Sequence, residues 1–379
     1  FVNSWNGRWE YSSLTSFLNS QPSRIRGAYA FDDSKNNQQH LTDNLPGSNY
    51  NVNLLSGYAQ DEIAVSKRFK ITPGIRLDYS FVGNQPALDP AINQTANYIS
   101  QDPTYSHTAF GDLSNKWLGK PTVSPRIGFN YDVKGNQKFV LRGGSGIFVG
   151  RMPFAWMGYA YTLSGTNFGN IDYKPASGTK VPLAIDPLYL KDTVTKYGGS
   201  AASSTHEVDL IDNNFKLPRI WRSNIAADIR FGKGYKLTLD AMYTKTLYDV
   251  KFQNINVKDT TAYFSQGPAQ TPVYVGGKVN STFSNVYLLS NTTEGSRYNL
   301  TAQLSKTTSN IRLGASTLLN VNWMVAYTYG MSKDLSNGIR NSFQSNYEVN
   351  PAITPNNPTL SYSNFDLRHR VIASASFGF

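Results

Sequence analysis

Nonpolar and polar residues alternate strictly from Phe69 to Phe81, where odd positions are nonpolar and even positions are polar, charged or glycine. Such alternation is typical of a β-strand with one apolar and one polar side. At about 3.3 Å per residue and a tilt of about 40°, the strand rises roughly 33 Å, whereas an outer-membrane barrel has an apolar band of roughly 25 Å. Strands of soluble proteins are usually only about 5 to 6 residues long. Together with the polar turn Ser66 to Arg68, the stretch Gly57 to Phe81 predicts a transmembrane β-hairpin.

The same alternation recurs along the chain and predicts about ten strands. Their connections are alternately short and long, and the long ones have roughly 30 to 65 residues, as expected for short periplasmic turns and long extracellular loops. The longest, Arg151 to Phe215, is expected to hold one short helix, with Asp186 as N-cap, Pro187 at its first position and Gly198 after its end. The predicted strands are Arg8 to Leu18, Tyr50 to Val65, Phe69 to Gly83, Val123 to Val133, Phe139 to Gly150, Ile225 to Phe231, Leu237 to Thr244, Tyr298 to Leu304, Leu319 to Tyr329 and Val371 to Phe379.

These strands predict an all-β fold, a transmembrane antiparallel β-barrel that forms one domain over residues 1–379. A soluble β-sandwich or propeller also has alternating strands, so alternation alone does not decide between them. Strand length and the asymmetry of the connections favour the membrane barrel, since neither feature is needed in a soluble sheet.

Composition agrees with a membrane barrel and excludes a bundle of membrane helices. The 24 Tyr and 20 Phe residues are enough for aromatic girdles at both membrane interfaces. Mean hydropathy is −0.40, and no run approaches the roughly 18 apolar residues of a spanning helix. The net charge of +11 comes from Lys and Arg residues scattered singly along the strands, a pattern that disfavours nucleic acid as a partner. Outer-membrane lipid and lipopolysaccharide, or an anionic solute, are the expected partners, unless the charge only hydrates the lumen and loops.

Charged residues at even positions are candidates for the barrel interior, because a charge on the lipid side near mid-membrane costs about 2 to 4 kcal/mol. They are expected either to hydrate the lumen or to contact a plug or a solute. Arg151 and Trp156, which follow the glycine-rich strand at its outer end, are the candidate solute contacts. The candidate lumen-facing residues are Arg76, Asp78, Arg126, Arg142, Asp228, Arg230, Lys236 and Asp240.

Catalytic and metal-binding patterns are missing from the sequence. The four histidines, His40, His107, His206 and His369, are far apart, and there is no cysteine. The glycines from Gly143 to Gly150 lack the third glycine of a dinucleotide fingerprint and lie in a predicted strand, where small residues admit a close backbone. The sequence therefore predicts no enzyme, no bound metal and no cofactor.

Six stretches resemble, in order, segments of TonB-dependent outer-membrane receptors of the Oar-like branch. The resemblance implies a barrel of about 22 strands, filled by a plug domain and driven through TonB to import a scarce solute. On this reading residues 1–379 hold about ten strands, and the plug, the TonB box and the other strands are not among them. The stretches are GYAQDEIAVSKRFKITPGIRLDY, LRGGSGIFVGRMPFAW, VDLIDNNFKLPRIWRSNIAAD, YTKTLYDVKFQNINV, GSRYNLTAQLSK and NNPTLSYSNFDLRHRV.

Two alternatives to import stay open at this point. In the first, the chain is a small self-contained barrel, with Phe379 as its C-terminal aromatic residue, that acts as a surface enzyme; this needs a cluster of Asp, Glu, His or Ser at the outer rim, such as Asp366 with His369. In the second, the barrel is adhesive and binds a protein partner, such as a surface lipoprotein, through the loop Arg151 to Phe215.

Overall fold

The computed structural model describes residues 8–30, 48, 50–86, 88–101, 111, 113, 117–165, 168–183, 190–199, 206–265, 267, 270–275, 277–313, 317–336 and 340–378. Most of these residues lie in β-strands. The strands are β1 Arg8–Glu10, β2 Arg24–Ala30, β3 Val52–Gln60, β4 Ile63–Ala64, β5 Phe69–Val82, β6 Pro121–Asp132, β7 Phe139–Val149, β8 Phe168–Tyr173, β9 His206–Ile211, β10 Arg219–Phe231, β11 Tyr235–Asn254, β12 Phe283–Thr292, β13 Ser296–Leu313, β14 Thr317–Asp334, β15 Ser361–Tyr362 and β16 His369–Gly378.

The helices are short and lie outside the large sheet. None of the described helices is long and apolar enough to cross a membrane. They are α1 Leu14–Leu18, a 3-10 turn Pro90–Ile92, α2 Asn93–Ala96, α3 Phe154–Thr162, α4 Leu190–Lys196 and α5 Phe343–Glu348.

One antiparallel meander dominates the described chain. Its long strands follow one another as β3, β5, β6, β7, β10, β11, β13, β14 and β16, each paired with the next. At one end of the sheet, the turn end, the connections are short; at the other, the loop end, they are long. This is the asymmetry of a membrane barrel, and the all-β antiparallel prediction is confirmed.

Cross-strand register divides the sheet into an apolar face and a polar face. Ile225 pairs with Ala241, which pairs with Leu300, and so nonpolar residues face the same way on successive strands. Ile225 is 55% exposed, Leu300 50% and Val371 69%. A continuous exposed apolar surface of this kind matches the lipid-facing band of a barrel wall and has no role in a soluble sheet.

The turn end is held by side chains and glycine. Asp132 accepts hydrogen bonds from the backbone N–H groups of Gly135 (2.9 Å) and Gln137 (2.8 Å), which fixes the turn between β6 and β7. Gly234, between β10 and β11, has φ +83°, and a Cβ there would lie 2.1 Å from the carbonyl oxygen of Thr307. No larger residue fits at Gly234 without moving the backbone of β13.

The loop end carries two smaller sheets. β1, β2 and β8 form a three-stranded sheet, packed on α4 through a cluster that includes Ile25, Ile171 and Val194. β11 extends beyond the large sheet, where it pairs with β12, and β12 pairs in parallel with β9. β9 and β12 are almost completely buried, with Val208, Leu210 and Leu288 at 0% exposure.

Several local predictions were wrong. Arg8 to Leu18 is not one strand: β1 ends at Glu10, and Ser13 caps helix α1. The predicted loop Asn19 to Asn49 contains β2, and the predicted loop from residue 258 to 290 contains the start of β12. The predicted connection at Thr308 to Ile311 is a β-bulge inside β13.

The helix predicted in the longest connection exists as α4, whereas its predicted cap residues Asp186 and Pro187 lie outside the described residues. That connection also contains α3, β8 and β9, which the sequence pattern did not predict.

As far as the described residues go, both edges of the sheet are open: β3 pairs only with β5, and β16 pairs only with β14. Every residue of β16 is exposed.

Candidate functional site

The predicted lumen-facing residues share the polar face of the large sheet. Register pairs Asp78 with Thr122, Arg126 with Gly146, and Arg142 with Ala226, always within that face. Alternation therefore brings all eight candidates to one side, since residues i and i+2 of a strand point the same way. That this side lines a solute path stays a prediction.

Near the loop end, Arg76 and Asp78 form a bidentate ion pair on β5. The Nε of Arg76 donates to both carboxylate oxygens of Asp78, at 2.9 and 3.1 Å, and its Nη2 donates to the Ser56 hydroxyl at 2.8 Å. Bidentate contact fixes the guanidinium orientation as well as neutralising the carboxylate.

Farther toward the turn end, Asp228 is the centre of a network across three strands. Its carboxylate accepts from the Nε of Arg142 on β7 (3.0 Å) and the Thr238 hydroxyl on β11 (2.7 Å), and pairs with the Nζ of Lys236 (3.1 Å). The side chain of Asp228 is 15% exposed, and those of Arg142 and Lys236 are 41% and 38% exposed. Two cations thus share one carboxylate, which neutralises one of their two positive charges.

The other three candidates have no ion pair among the described residues. The guanidinium of Arg126 lies 4.6 Å above the ring of Phe148, and Arg230 donates to the carbonyl of Gln137 at 3.1 Å. Arg126 also crosses Gly146, where a Cβ would lie 2.9 Å from its Cγ. This close approach explains why a glycine lies at position 146 of β7, since a small residue in a strand lets a neighbouring chain come close.

A cavity of about 240 Å³, the outer-end cavity, opens on the polar face where β5, β6, β7 and β10 meet the long loops. Three cationic side chains, Lys120, Lys216 and Arg219, line it together with Asp78 and Thr122. The sequence pattern did not identify these cations, because they lie in separate segments at or just before strand starts. Basic residues at the outer ends of predicted strands were the available signal.

The predicted solute contacts Arg151 and Trp156 occupy different environments. Arg151 is exposed just after β7. Trp156 lies on α3 and is 2% exposed; its Nε1 donates to the carbonyl of Arg340 at 2.7 Å, and its ring packs edge-on against Phe252. Trp156 therefore holds α3 against neighbouring loops, and solute contact by the pair stays a prediction.

A second group of charges, the acidic cluster, lies at the loop end and consists of Glu207 and Asp209 on β9 and Glu348 on α5. The Tyr287 hydroxyl donates to Glu348 at 2.8 Å, while neither carboxylate oxygen of Asp209 has a hydrogen-bond partner among the described residues. Burial, followed by the nearby Glu348, raises the pKa of Glu207 to about 7. Burial and Glu207 also raise the pKa of Asp209 well above its usual value.

The candidate residues for surface catalysis are held by other groups. Asp366 accepts from Arg368 (Nη2, 2.8 Å) and from the backbone N–H of Ser332 (2.7 Å), whereas His369 Nδ1 contacts the Tyr327 hydroxyl at 2.8 Å. Within the described ranges, no group of three His, Cys, Asp or Glu residues is arranged to hold a metal ion. His40 and His107 lie outside those ranges.

An exposed apolar face, a polar face of ordered charges and long loops at one end define the wall of an outer-membrane β-barrel. The family model for "Outer membrane beta barrel domain" matches residues 3–378, and the chain belongs to this family. Its location is the outer membrane of a Gram-negative bacterium. No curated protein matches the chain.

The fold is similar to those of solved outer-membrane proteins at low identity. They include the outer membrane transporter YddB from Escherichia coli (10% identity, 86% of this chain and 31% of that one, TM-score 0.46). They also include the siderophore receptor PirA from Pseudomonas aeruginosa (13%, 82% and 46%, 0.33) and the FrpB iron transporter from Neisseria meningitidis (12%, 86% and 47%, 0.28). The chain spans between 31% and 47% of the length of these proteins.

Proposed function

We propose that the chain is part of the barrel wall of a TonB-dependent, Oar-like receptor that imports a solute across the outer membrane. The observation that carries the proposal is the polar face, on which Arg76, Asp78, Arg142 and Asp228 are held in fixed ion pairs opposite the lipid-facing surface. Fixed, hydrated charges suit the interior of a wide barrel through which a polar solute passes.

In this proposal residues 1–379 are one segment of the barrel, and a plug domain and further strands complete it. The unpaired edges of β3 and β16 support this, since each offers a row of backbone donors and acceptors to a neighbouring strand. The plug, TonB and a surface lipoprotein are the proposed partners. The chemistry is passage of a solute, with no bond made or broken by the barrel.

Energised uptake is the direct test. Cells with and without the full-length gene are grown in the same defined medium, and solute depletion is compared with and without a protonophore. Outer-membrane fractions confirm that the protein is present at equal amounts. We expect at least one solute to be depleted only by energised cells that carry the gene. Equal depletion in all cultures would contradict import.

The adhesive alternative gives a different result in the same cells. Binding of a protein partner that survives the protonophore and is lost when residues 151–215 are deleted would support adhesion. Energised depletion without such binding would support import.

A further inference from the structure

We infer that the outer-end cavity binds an oxyanion, a phosphate or carboxylate group carried by a solute in the lumen. The inference rests on the proposed function only for the source of the ligand. The cavity itself is defined by the side chains around it, and its binding can be measured without transport.

The first argument is charge. Lys120, Lys216 and Arg219 line the cavity, and among the described residues none of them has a carboxylate oxygen within 4.0 Å. Asp78 also lines the cavity, but Arg76 binds it bidentately and cancels its charge. The cavity therefore carries a local excess of positive charge and, unlike the network around Asp228, has no carboxylate paired with its cations in the described chain.

The second argument is the unused hydrogen-bonding capacity of Arg219. Its Nη2 donates to the Thr122 hydroxyl at 3.1 Å, whereas its Nε is buried without a hydrogen-bond partner among the described residues. A buried guanidinium N–H without an acceptor is unfavourable, and arginine is the side chain best suited to bind a carboxylate or phosphate through two donors. Because this Nε is enclosed, an oxyanion in the cavity would be bound by the other N–H groups of the guanidinium and would neutralise its charge.

The third argument is that the cations are held in place. The Nζ of Lys216 donates to the Tyr248 hydroxyl at 2.9 Å and lies 4.4 Å above the Tyr248 ring, and the guanidinium of Arg219 lies 5.5 Å from the same ring. Asn291 binds the backbone of Lys216 on both sides, accepting from its N–H (2.7 Å) and donating to its carbonyl (2.9 Å). Preorganised donors of this kind bind with less loss of side-chain entropy.

Size and position indicate which oxyanion is bound. About 240 Å³ is less than the roughly 300 to 1,000 Å³ of pockets that hold whole drug-sized ligands, so the cavity takes a small anion or one acidic group of a larger solute. The cavity lies on the polar face, opposite the exposed apolar residues that contact lipid. A solute in the lumen therefore reaches it, whereas the phosphates of lipopolysaccharide lie beyond the other face.

The test measures binding of inorganic phosphate and of acetate to the full-length protein in detergent, by calorimetry. Arg219→Gln and Lys216→Gln are compared with Lys233→Gln, which removes an exposed cation at the turn end. We expect each cavity variant to weaken phosphate binding about tenfold, the usual effect of losing one charge-assisted hydrogen bond, and Lys233→Gln to have no effect. Unchanged binding in both cavity variants would overturn the inference.

A second measurement needs no variant. Lysines are acetylated in the wild-type protein with and without phosphate, and modification of Lys120, Lys216 and Lys233 is read by mass spectrometry. Phosphate is expected to protect Lys120 and Lys216 but not Lys233, and equal modification of all three would contradict the inference.

Lipopolysaccharide micelles form a separate arm of the measurement. If lipopolysaccharide protects Lys120 and Lys216 from acetylation and phosphate does not, the anion does not come from a solute in the lumen. Phosphate binding that persists in a protein without energised uptake would reject the proposed function and leave the anion site intact.

Discussion

The acidic cluster and the outer-end cavity both gather charges of one sign, yet the two regions relieve the repulsion differently. Glu207 and Asp209 are buried beside each other, and their raised pKa values show that the protonated, neutral forms are favoured. Arginine side chains stay charged in proteins, and Arg219 lines the outer-end cavity together with two lysines. A buried acidic group can therefore discharge by taking up a proton, whereas the cavity keeps its charge and needs an anion from outside.

Among the changes that test this comparison, a change of pH should have the largest effect, and it acts on the local stability of the acidic cluster. The folded-state pKa of Glu207 is raised from 4.5 to about 7, so the folded form binds the proton more tightly than the unfolded form. The local free energy of unfolding is therefore greatest at acidic pH and falls by about 3 kcal/mol as the pH rises from about 4.5 to about 7. Hydrogen exchange of the β9 amides, corrected for intrinsic rates, measures this change.

Glu207→Gln is the matched variant for the pH prediction, since it keeps the shape and removes the titration of Glu207, while Asp209 keeps a pKa that burial raises. Its β9 amides should show a smaller pH dependence than those of the wild type, and the remainder should disappear in the double variant Glu207→Gln, Asp209→Asn. The same steep dependence in both proteins would exclude Glu207 as its source.

Removing the carboxylate of the network around Asp228 should have the next largest effect. Asp228→Ala leaves Arg142 and Lys236 without their shared partner and should lower the free energy of unfolding by about 2 kcal/mol, because both cations are partly solvated. Urea unfolding in lipid vesicles measures it. Asp240→Ala, on the same face and without an ion pair among the described residues, should change stability by less than about 0.5 kcal/mol.

Giving the outer-end cavity an internal carboxylate should make it resemble the network around Asp228, in which a carboxylate pairs with the cations. Thr122→Asp would place that carboxylate where Arg219 now donates to a hydroxyl, and should weaken phosphate binding about tenfold by competing for the guanidinium. The isosteric control Thr122→Val lacks the charge. Equal phosphate affinity in the Asp and Val variants would argue against competition.

The smallest effect is expected from Arg76→Gln. The change frees Asp78, which lines the cavity, to repel an anion there, and phosphate affinity should fall about threefold. Calorimetry in detergent measures this affinity. Arg76→Gln combined with Asp78→Asn should restore phosphate binding. If it does not, repulsion by Asp78 is not the cause of the lower affinity.

The strands of the large sheet were predictable because one side meets lipid and the other water. Nonpolar and polar residues therefore alternate along each strand. β9 and β12 were not predictable: β9 alternates over only four residues, Glu207 to Leu210, and β12 is buried on both sides and has no alternation around Leu288. Helix α3 is equally apolar all round, with Trp156, Met157 and Ala160 buried. The error at Arg8 to Leu18 came from short-range capping: Ser13 and Ser16 form a capping box that starts a helix.

The same physics limits prediction of the candidate site. The polar face follows from parity along each strand, and Arg76 with Asp78 could be paired from their spacing alone. The outer-end cavity depends instead on contacts between segments far apart in the chain, such as Arg219 with Thr122 and Lys216 with Tyr248. No local pattern encodes such contacts.

The open edges of β3 and β16 constrain the order of events during assembly. Hydrocarbon offers no hydrogen bonds, so every unpaired backbone group of an edge strand in the bilayer core costs several kcal/mol. Along the exposed β16 these costs would accumulate with each residue that enters the membrane. Insertion and edge pairing must therefore advance together, and a sheet that enters the bilayer before its edges find partner strands is not a stable intermediate.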